Sequence, residues 1–207
     1  MPFFNLQITS MERYQSLKKH IIARLEKELR PALYYHGVHH VLDVLNAAEN
    51  IAQSEHVDEI NLELLKVAVL FHDSGFIFDS VDHEKRSCGI AQETLPTFGY
   101  DATEIEKICG MIMATKWPHH PHNLLEMIIC DADLDYLGRS DFYQIANTLY
   151  AELNHFGLIN TKREWNMLQE VFLVAHHYFT NTAKVNRAAK KQQHLEEIQR
   201  ILQTADE

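Results

Sequence analysis

Leu64-Leu65-Lys66-Val67-Ala68-Val69-Leu70-Phe71-His72-Asp73-Ser74-Gly75 is the stretch on which the reading of this chain turns. Its first eight residues are apolar apart from Lys66 and do not alternate, which points to a helix buried on most of its surface. Ser74-Gly75 breaks that helix, so His72 and Asp73 fall at its end. An imidazole followed at once by a carboxylate offers two ligands to one metal ion where a helix end holds them on the floor of a cleft. The dipeptide alone proves little. In a chain with 14 histidines, about one His-Asp pair arises by chance. The case depends on further ligands elsewhere.

Composition narrows the classes. With 207 residues, 46% of them hydrophobic, the chain can bury a sizeable core, and a single domain over residues 1–207 is the expectation. Seven glycines and five prolines disfavour flexible linkers and turn-rich all-β folds. A formal net charge of -10 without a basic patch argues against a nucleic-acid duplex as partner. It leaves room for a small phosphorylated substrate, because a metal ion supplies positive charge locally. Of the histidines, about half are expected to be scattered surface or capping residues. Cys88, Cys109 and Cys130 are odd in number and form no Cys-x-x-Cys pair, as for free thiols in a reducing compartment. Met1-Pro2-Phe3-Phe4-Asn5-Leu6 lacks a basic stretch leading into an apolar one, and no segment approaches the ~18 apolar residues of a membrane span. A cytoplasmic protein without a membrane partner is expected.

Nearly every segment has helical periodicity, so an all-α, single-domain helical bundle is predicted. Helices are expected over residues 10–29, from Val41 to Ile51 with Leu42, Leu45 and Ala48 on the apolar face, over 61–71, and from His83 onward. Pro96 and Gly99 mark the next break, and Asp101 or Thr103 caps a helix carrying Ile105, Ile108, Met111 and Ile112. Prolines bracket Trp117-Pro118-His119-His120-Pro121-His122, which makes it a loop. Further helices are expected over 123–137, 141–156, 161–179 and 181–201, the last strongly polar and packing through a narrow stripe.

Two more blocks carry ligand-type residues. Tyr34-Tyr35-His36-Gly37-Val38-His39-His40-Val41-Leu42-Asp43 lies where a loop enters a helix, and Met127-Ile128-Ile129-Cys130-Asp131-Ala132-Asp133-Leu134 ends another. The order His, His-Asp, Asp resembles the HD superfamily of metal-dependent phosphohydrolases, over residues 34–137 with flanking N- and C-terminal helices outside that core. The first block is also similar to the Tyr-His-Asn-x-x-His-x-x-Asp signature of cyclic-nucleotide phosphodiesterases, with Gly37 in place of the asparagine. The resemblance implies His40, His72, Asp73 and Asp133 as metal ligands and His36 as the acid that protonates the leaving oxygen. Asp131 competes with Asp133, because residues two apart on a helix point in opposing directions and cannot both reach one ion. No second histidine follows His-Asp closely, and the purine-clamping glutamine of the phosphodiesterases has no evident place, so their nucleotide specificity is not carried over. His83-Glu84 with Ser87 resembles instead a His-Glu-x-x-Ser element of smaller HD proteins, which lines the site and can bind a second ion.

Two imidazoles and two carboxylates suit manganese, iron, cobalt, nickel or zinc. The implied chemistry is hydrolysis of a phosphomonoester or phosphodiester, with a nucleotide among the candidates, by a metal-activated water. Asp73 or Asp133 would orient that water and accept its proton, so Asp73 and His36 form the catalytic set. Lys85, Arg86 or Lys116 could hold phosphate oxygens, or be solvated surface charges. Asp43 could fix the tautomer of a ligand histidine or be a plain surface carboxylate. One of His119, His120 and His122 could serve a second ion or phosphate, or all three could be incidental loop residues. His176-His177 is read as structural, and Trp117, Tyr136 and Trp165 as core or cleft wall. Two rival readings remain at this stage: a non-catalytic HD-fold module that binds metal or nucleotide for regulation, and an interaction protein using the C-terminal helix. Oligomerisation is compatible with all three.

Overall fold

The computed structural model describes residues 10–204. Nine helices follow one another, with no strand among the described residues: α1 (Ser10–Glu28), α2 (Val38–Ser54), α3 (Glu59–Phe71), α4 (His83–Thr94), α5 (Ala102–Ala114), α6 (Leu124–Asp133), α7 (Phe142–His155), α8 (Lys162–Ala175) and α9 (Asn181–Thr204). Short 3-10 turns at Ser74–Ile77, Leu95–Phe98 and Asp135–Gly138 complete them. The chain is all-α, as its periodicity implies.

Helix α3 is the hub of the first half. Its residues from Val67 to Phe71 are all fully buried, and α1, α2, α5 and α6 pack around it. Asp58 starts it by accepting the Asn61 amide, and a capping box between Asp101 and Glu104 starts α5. A second apolar cluster joins Leu134, Tyr136 and Leu137 to Phe142, Trp165, Leu173, Leu195 and Ile198 from α7, α8 and α9. The two clusters meet at the C-terminal end of α6, and that junction positions the site. No described helix is long and apolar enough to cross a membrane.

Three expectations are corrected. Leu42 is exposed, because the buried stripe of α2 runs through Val41, Val44, Leu45, Ala48 and Ile51 and passes it by. Helix α6 ends at Asp133 and gives way to a 3-10 turn, so it does not reach Leu137. Helix α8 stops at Ala175, not Phe179: the Asp131 carboxylate accepts the Phe179 and Thr180 amides at 2.8 and 2.7 Å, which holds residues 176–180 out of the helix. His176-His177 therefore lies on an extended connection, with His176 buried and His177 exposed. The predicted narrow stripe of α9 is present as Ala183, His194, Leu195 and Ile198.

Candidate metal centre

Three helices deliver four ligand-type side chains to one point. His40 comes from the first turn of α2, His72 and Asp73 from the end of α3, and Asp133 from the last residue of α6. His40 Nε2 lies 3.0 Å from Asp133 Oδ1 and 3.3 Å from His72 Nε2. Asp73 Oδ2 completes the group at 3.4 Å from His40 Nε2 and 3.3 Å from His72 Nε2. One ligand atom each from His40, His72 and Asp133 falls within a 4.8 Å spread.

The orientation of His72 is fixed by its own helix. Its Nδ1 donates to the Val69 carbonyl at 2.8 Å, which leaves Nε2 to face the cluster with its lone pair. Burial opposes a charge on His72, but Asp73 and Asp133 outweigh it and raise the imidazole well above its usual range. Burial likewise disfavours charge on the two carboxylates, and the neighbouring histidines still hold both well below the ordinary range. The field that favours a proton on His72 is one that attracts a cation, and a bound cation displaces that proton. Two imidazole nitrogens, two ionised carboxylates and a fixed tautomer make a donor set that fits a divalent transition metal.

Asp73 faces two ways. While Oδ2 meets His40 and His72, Oδ1 lies 3.4 Å from His83 Nε2, and His83 in turn sits 3.6 Å from Glu84 Oε1. Burial opposes charge on His83, but Asp73 outweighs it and raises its pKa. The connection that brings α4 here is tight. Ser87 Oγ donates to the His72 carbonyl at 2.7 Å and accepts the Gly75 amide at 2.8 Å. A Cβ on Gly75 would lie 2.0 Å from the His83 carbonyl oxygen, so only glycine lets the turn after Asp73 pass so close to the start of α4.

His36 stands beside the cluster, stacked on Phe76 at 4.0 Å between ring centres. Its Nδ1 pairs with Glu152 Oε1, and the other oxygen of Glu152 accepts the Tyr35 and His36 amides at 2.8 and 3.1 Å. Glu152, from α7, is 3% exposed; burial raises its pKa, but the contact with His36 and these amides more than offset that and lower it. Sequence reasoning missed it, since nothing marks a carboxylate in the middle of a helix as buried.

Asp131 points away from the cluster. Its carboxylate takes the Phe179 and Thr180 amides and the Thr180 hydroxyl, while burial pushes its pKa up to about 6 against those hydrogen bonds. Asp43 pairs with Arg139 at 2.9 Å, not with a ligand histidine. Of the loop histidines, His119 is half-buried with Nε2 donating to the Thr115 carbonyl, and His120 and His122 are exposed. Lys116 pairs with Asp82 at 2.6 Å, and neither it nor Lys85 or Arg86 lines the cavity above the cluster. That cavity, about 320 Å³, opens from Asp73, Asp133, His36, His83 and Glu84 and runs between α7 and α8. Trp117, Tyr136 and Trp165 are among its walls.

The family model for the HD domain matches residues 37–135, a segment that contains His40, His72, Asp73 and Asp133. Over that segment the chain is similar to the HD domain. Solved structures resemble it over nearly its whole length. A predicted HD superfamily hydrolase from an uncultured Thermotogales bacterium is 22% identical, covers 92% of each chain and has a TM-score of 0.59. A Lactobacillus plantarum protein is 16% identical with a TM-score of 0.66, covering 96% of this chain and 100% of its own. Bacillus subtilis YpgQ, in complex with ADP, is 17% identical with a TM-score of 0.63 and coverages of 92% and 95%. At these identities the likeness is one of fold. No curated protein sequence matches the chain. Helices α7 to α9 lie beyond the HD domain match, so Glu152 and the far walls of the cavity do too.

Proposed function

We propose that this protein is a metal-dependent phosphohydrolase acting on a phosphomonoester or phosphodiester, with nucleotides among the candidate substrates. The convergence of His40, His72 and Asp133, with Asp73 Oδ2 3.4 and 3.3 Å from the two imidazoles, at the mouth of a cavity carries this reading. These four side chains would hold a divalent ion. When bound, the ion supplies Lewis acidity, lowering the pKa of a water and drawing charge from the phosphoryl group.

The protein's own residues would do the rest. Asp73, with one oxygen toward His40 and His72 and the other toward His83, would orient the attacking water and take its proton. His36 would protonate the leaving oxygen from Nε2. Its Nδ1 is committed to Glu152, which would fix the ring with Nε2 left for that step. His83 and Glu84 could support a second ion beside Asp73. A cavity of about 320 Å³ takes a small molecule and not a nucleic-acid duplex. The ADP complex of the similarly folded YpgQ supports a nucleotide as ligand.

The test is a panel of nucleoside monophosphates, cyclic nucleotides and aryl phosphates, assayed for phosphate or nucleotide release with added manganese. Metal-dependent turnover that disappears in Asp73→Ala supports the reading. Stoichiometric metal with no turnover across the panel would favour a regulatory module that binds without hydrolysis.

A further inference from the structure

Cys88 on α4 and Cys109 on α5 face each other where the two helices pack. Cys88 Sγ lies 3.5 Å from the Cys109 carbonyl oxygen, and Cys109 Sγ lies 3.9 Å from the Cys88 carbonyl oxygen. Each sulfur reaches across the seam to the other residue's backbone, and the two thiols also hydrogen-bond to each other. Cys88 is buried, 8% exposed, while Cys109 is only partly covered. A glycine follows each of them, Gly89 and Gly110. A Cβ on Gly89 would meet nothing within 4 Å, and one on Gly110 would meet the Glu126 side chain at 3.5 Å, so space for a small molecule adjoins the pair.

The shared hydrogen bond makes the two sulfurs unequal. It lowers the pKa of Cys109 against the effect of burial, and together with burial it holds the proton on Cys88. The thiolate is the reactive form of cysteine, so the more accessible sulfur is also the nucleophile. Cys130 is the contrast: it is fully buried on α6, its S–H donates to the Ala114 carbonyl at 3.1 Å, and burial pushes its pKa up.

We propose that Cys88 and Cys109 form a modification site at which a hydroperoxide oxidises the pair to a reversible disulfide between α4 and α5. The Cys109 thiolate attacks one oxygen of the peroxide and the O–O bond breaks, which gives a sulfenic acid and a hydroxide that takes a proton to become water. The Cys88 sulfur then attacks the Cys109 sulfur. The S–S bond forms, the S–O bond breaks, and the hydroxyl leaves as water with the proton from Cys88. In sum the two thiols lose two electrons and two protons, and hydrogen peroxide becomes two waters. The pair stands apart from the ligand cluster, so this chemistry needs neither a metal nor hydrolysis. Its product would tie α5 to the helix that brings His83, Glu84 and Ser87 to the metal centre.

The probe is hydrogen peroxide on the purified full chain, followed by alkylation of the remaining thiols under denaturing conditions and peptide mapping. The parent should lose two hydrogens in mass, yield a peptide linked through Cys88 and Cys109, keep Cys130 free, and return to three thiols with dithiothreitol. Cys88→Ser should stop at the sulfenic acid on Cys109, which dimedone captures. Cys109→Ser should react at least ~10-fold more slowly, because the remaining thiols are buried and protonated. The parent alone decides the matter should either variant lose its fold. Three free thiols after peroxide, a disulfide between separate chains, or Cys109 driven to sulfinic acid with Cys88 untouched would each overturn the proposal.

Discussion

His40 and His72 turn their Nε2 atoms toward each other across 3.3 Å, and Asp133 Oδ1 lies 3.0 Å from the first and 3.5 Å from the second. Because His72 Nδ1 is committed to the Val69 carbonyl, the Nε2 of His72 is left to face His40 and Asp133, where a cation would find it as a ligand. The relationship joins α2 to α3 and makes the candidate metal centre part of the packing. A ligand set that clusters ionised carboxylates around buried imidazoles should be most stable when an ion neutralises it.

The pairing of His36 with Glu152, away from the ligand cluster, lets the proposed proton donation be tested apart from metal binding. His36→Ala should keep the ion and lose turnover by about 10²–10⁴-fold on substrates with poor leaving groups. The defect should shrink on a nitrophenyl ester, whose departing oxygen needs no proton. Glu152→Gln should show the same leaving-group dependence with a smaller loss, of about 10-fold or more. Equal impairment on both substrate kinds would make His36 a positioning group, and loss of the ion would make it a ligand.

Gly75→Ala tests the tight turn after Asp73. The added methyl would lie 2.0 Å from the His83 carbonyl oxygen, so the backbone has to shift. Overpacking of this kind costs about 1–3 kcal/mol. Thermal denaturation should show that loss, and turnover should fall with it as His83 is pushed from Asp73. A variant as stable and active as the parent would show that the turn is slack.

Asp131 is a structural residue with a function that metal assays would miss. Asp131→Ala should leave metal binding close to that of the parent, yet strand the Phe179 and Thr180 amides and cost ~2–4 kcal/mol. Denaturant unfolding with parallel metal titration separates the two. Loss of the ion with stability intact would return Asp131 to the ligand set.

His176 predicts the sign of an acid limb. Burial, helped by the charge of Lys191, lowers its pKa from the usual 6.5 to about 3, so folding excludes a proton that the unfolded chain binds. Its stabilising contribution is complete above pH 6.5 and declines as pH falls toward 3. His176→Phe, which keeps the ring packing against Tyr178, should flatten the fall of melting temperature between those limits. An unchanged slope would place the acid sensitivity elsewhere.

Much of this was legible because it is local. A buried helix ending in His72-Asp73 announces itself through an apolar run interrupted only by Lys66 and a Ser-Gly break, and the cap of α5 follows from Asp101. What escaped depends on contacts across long stretches of chain. Glu152 reaches His36 over 116 residues, and Asp131 ends α8 by binding amides some 48 residues away. Periodicity describes one element at a time. It also treated Leu42 as part of the stripe it adjoins, whereas only packing against α3 and α6 shows which side of α2 is covered.

Elemental analysis of the purified protein beside its His72→Ala and Asp133→Asn variants, with melting temperatures measured on the same samples, tests the metal centre most directly. The parent should carry a stoichiometric divalent transition metal, and both variants should lose it and melt at lower temperature. Full metal occupancy in both variants would contradict the assignment of this site.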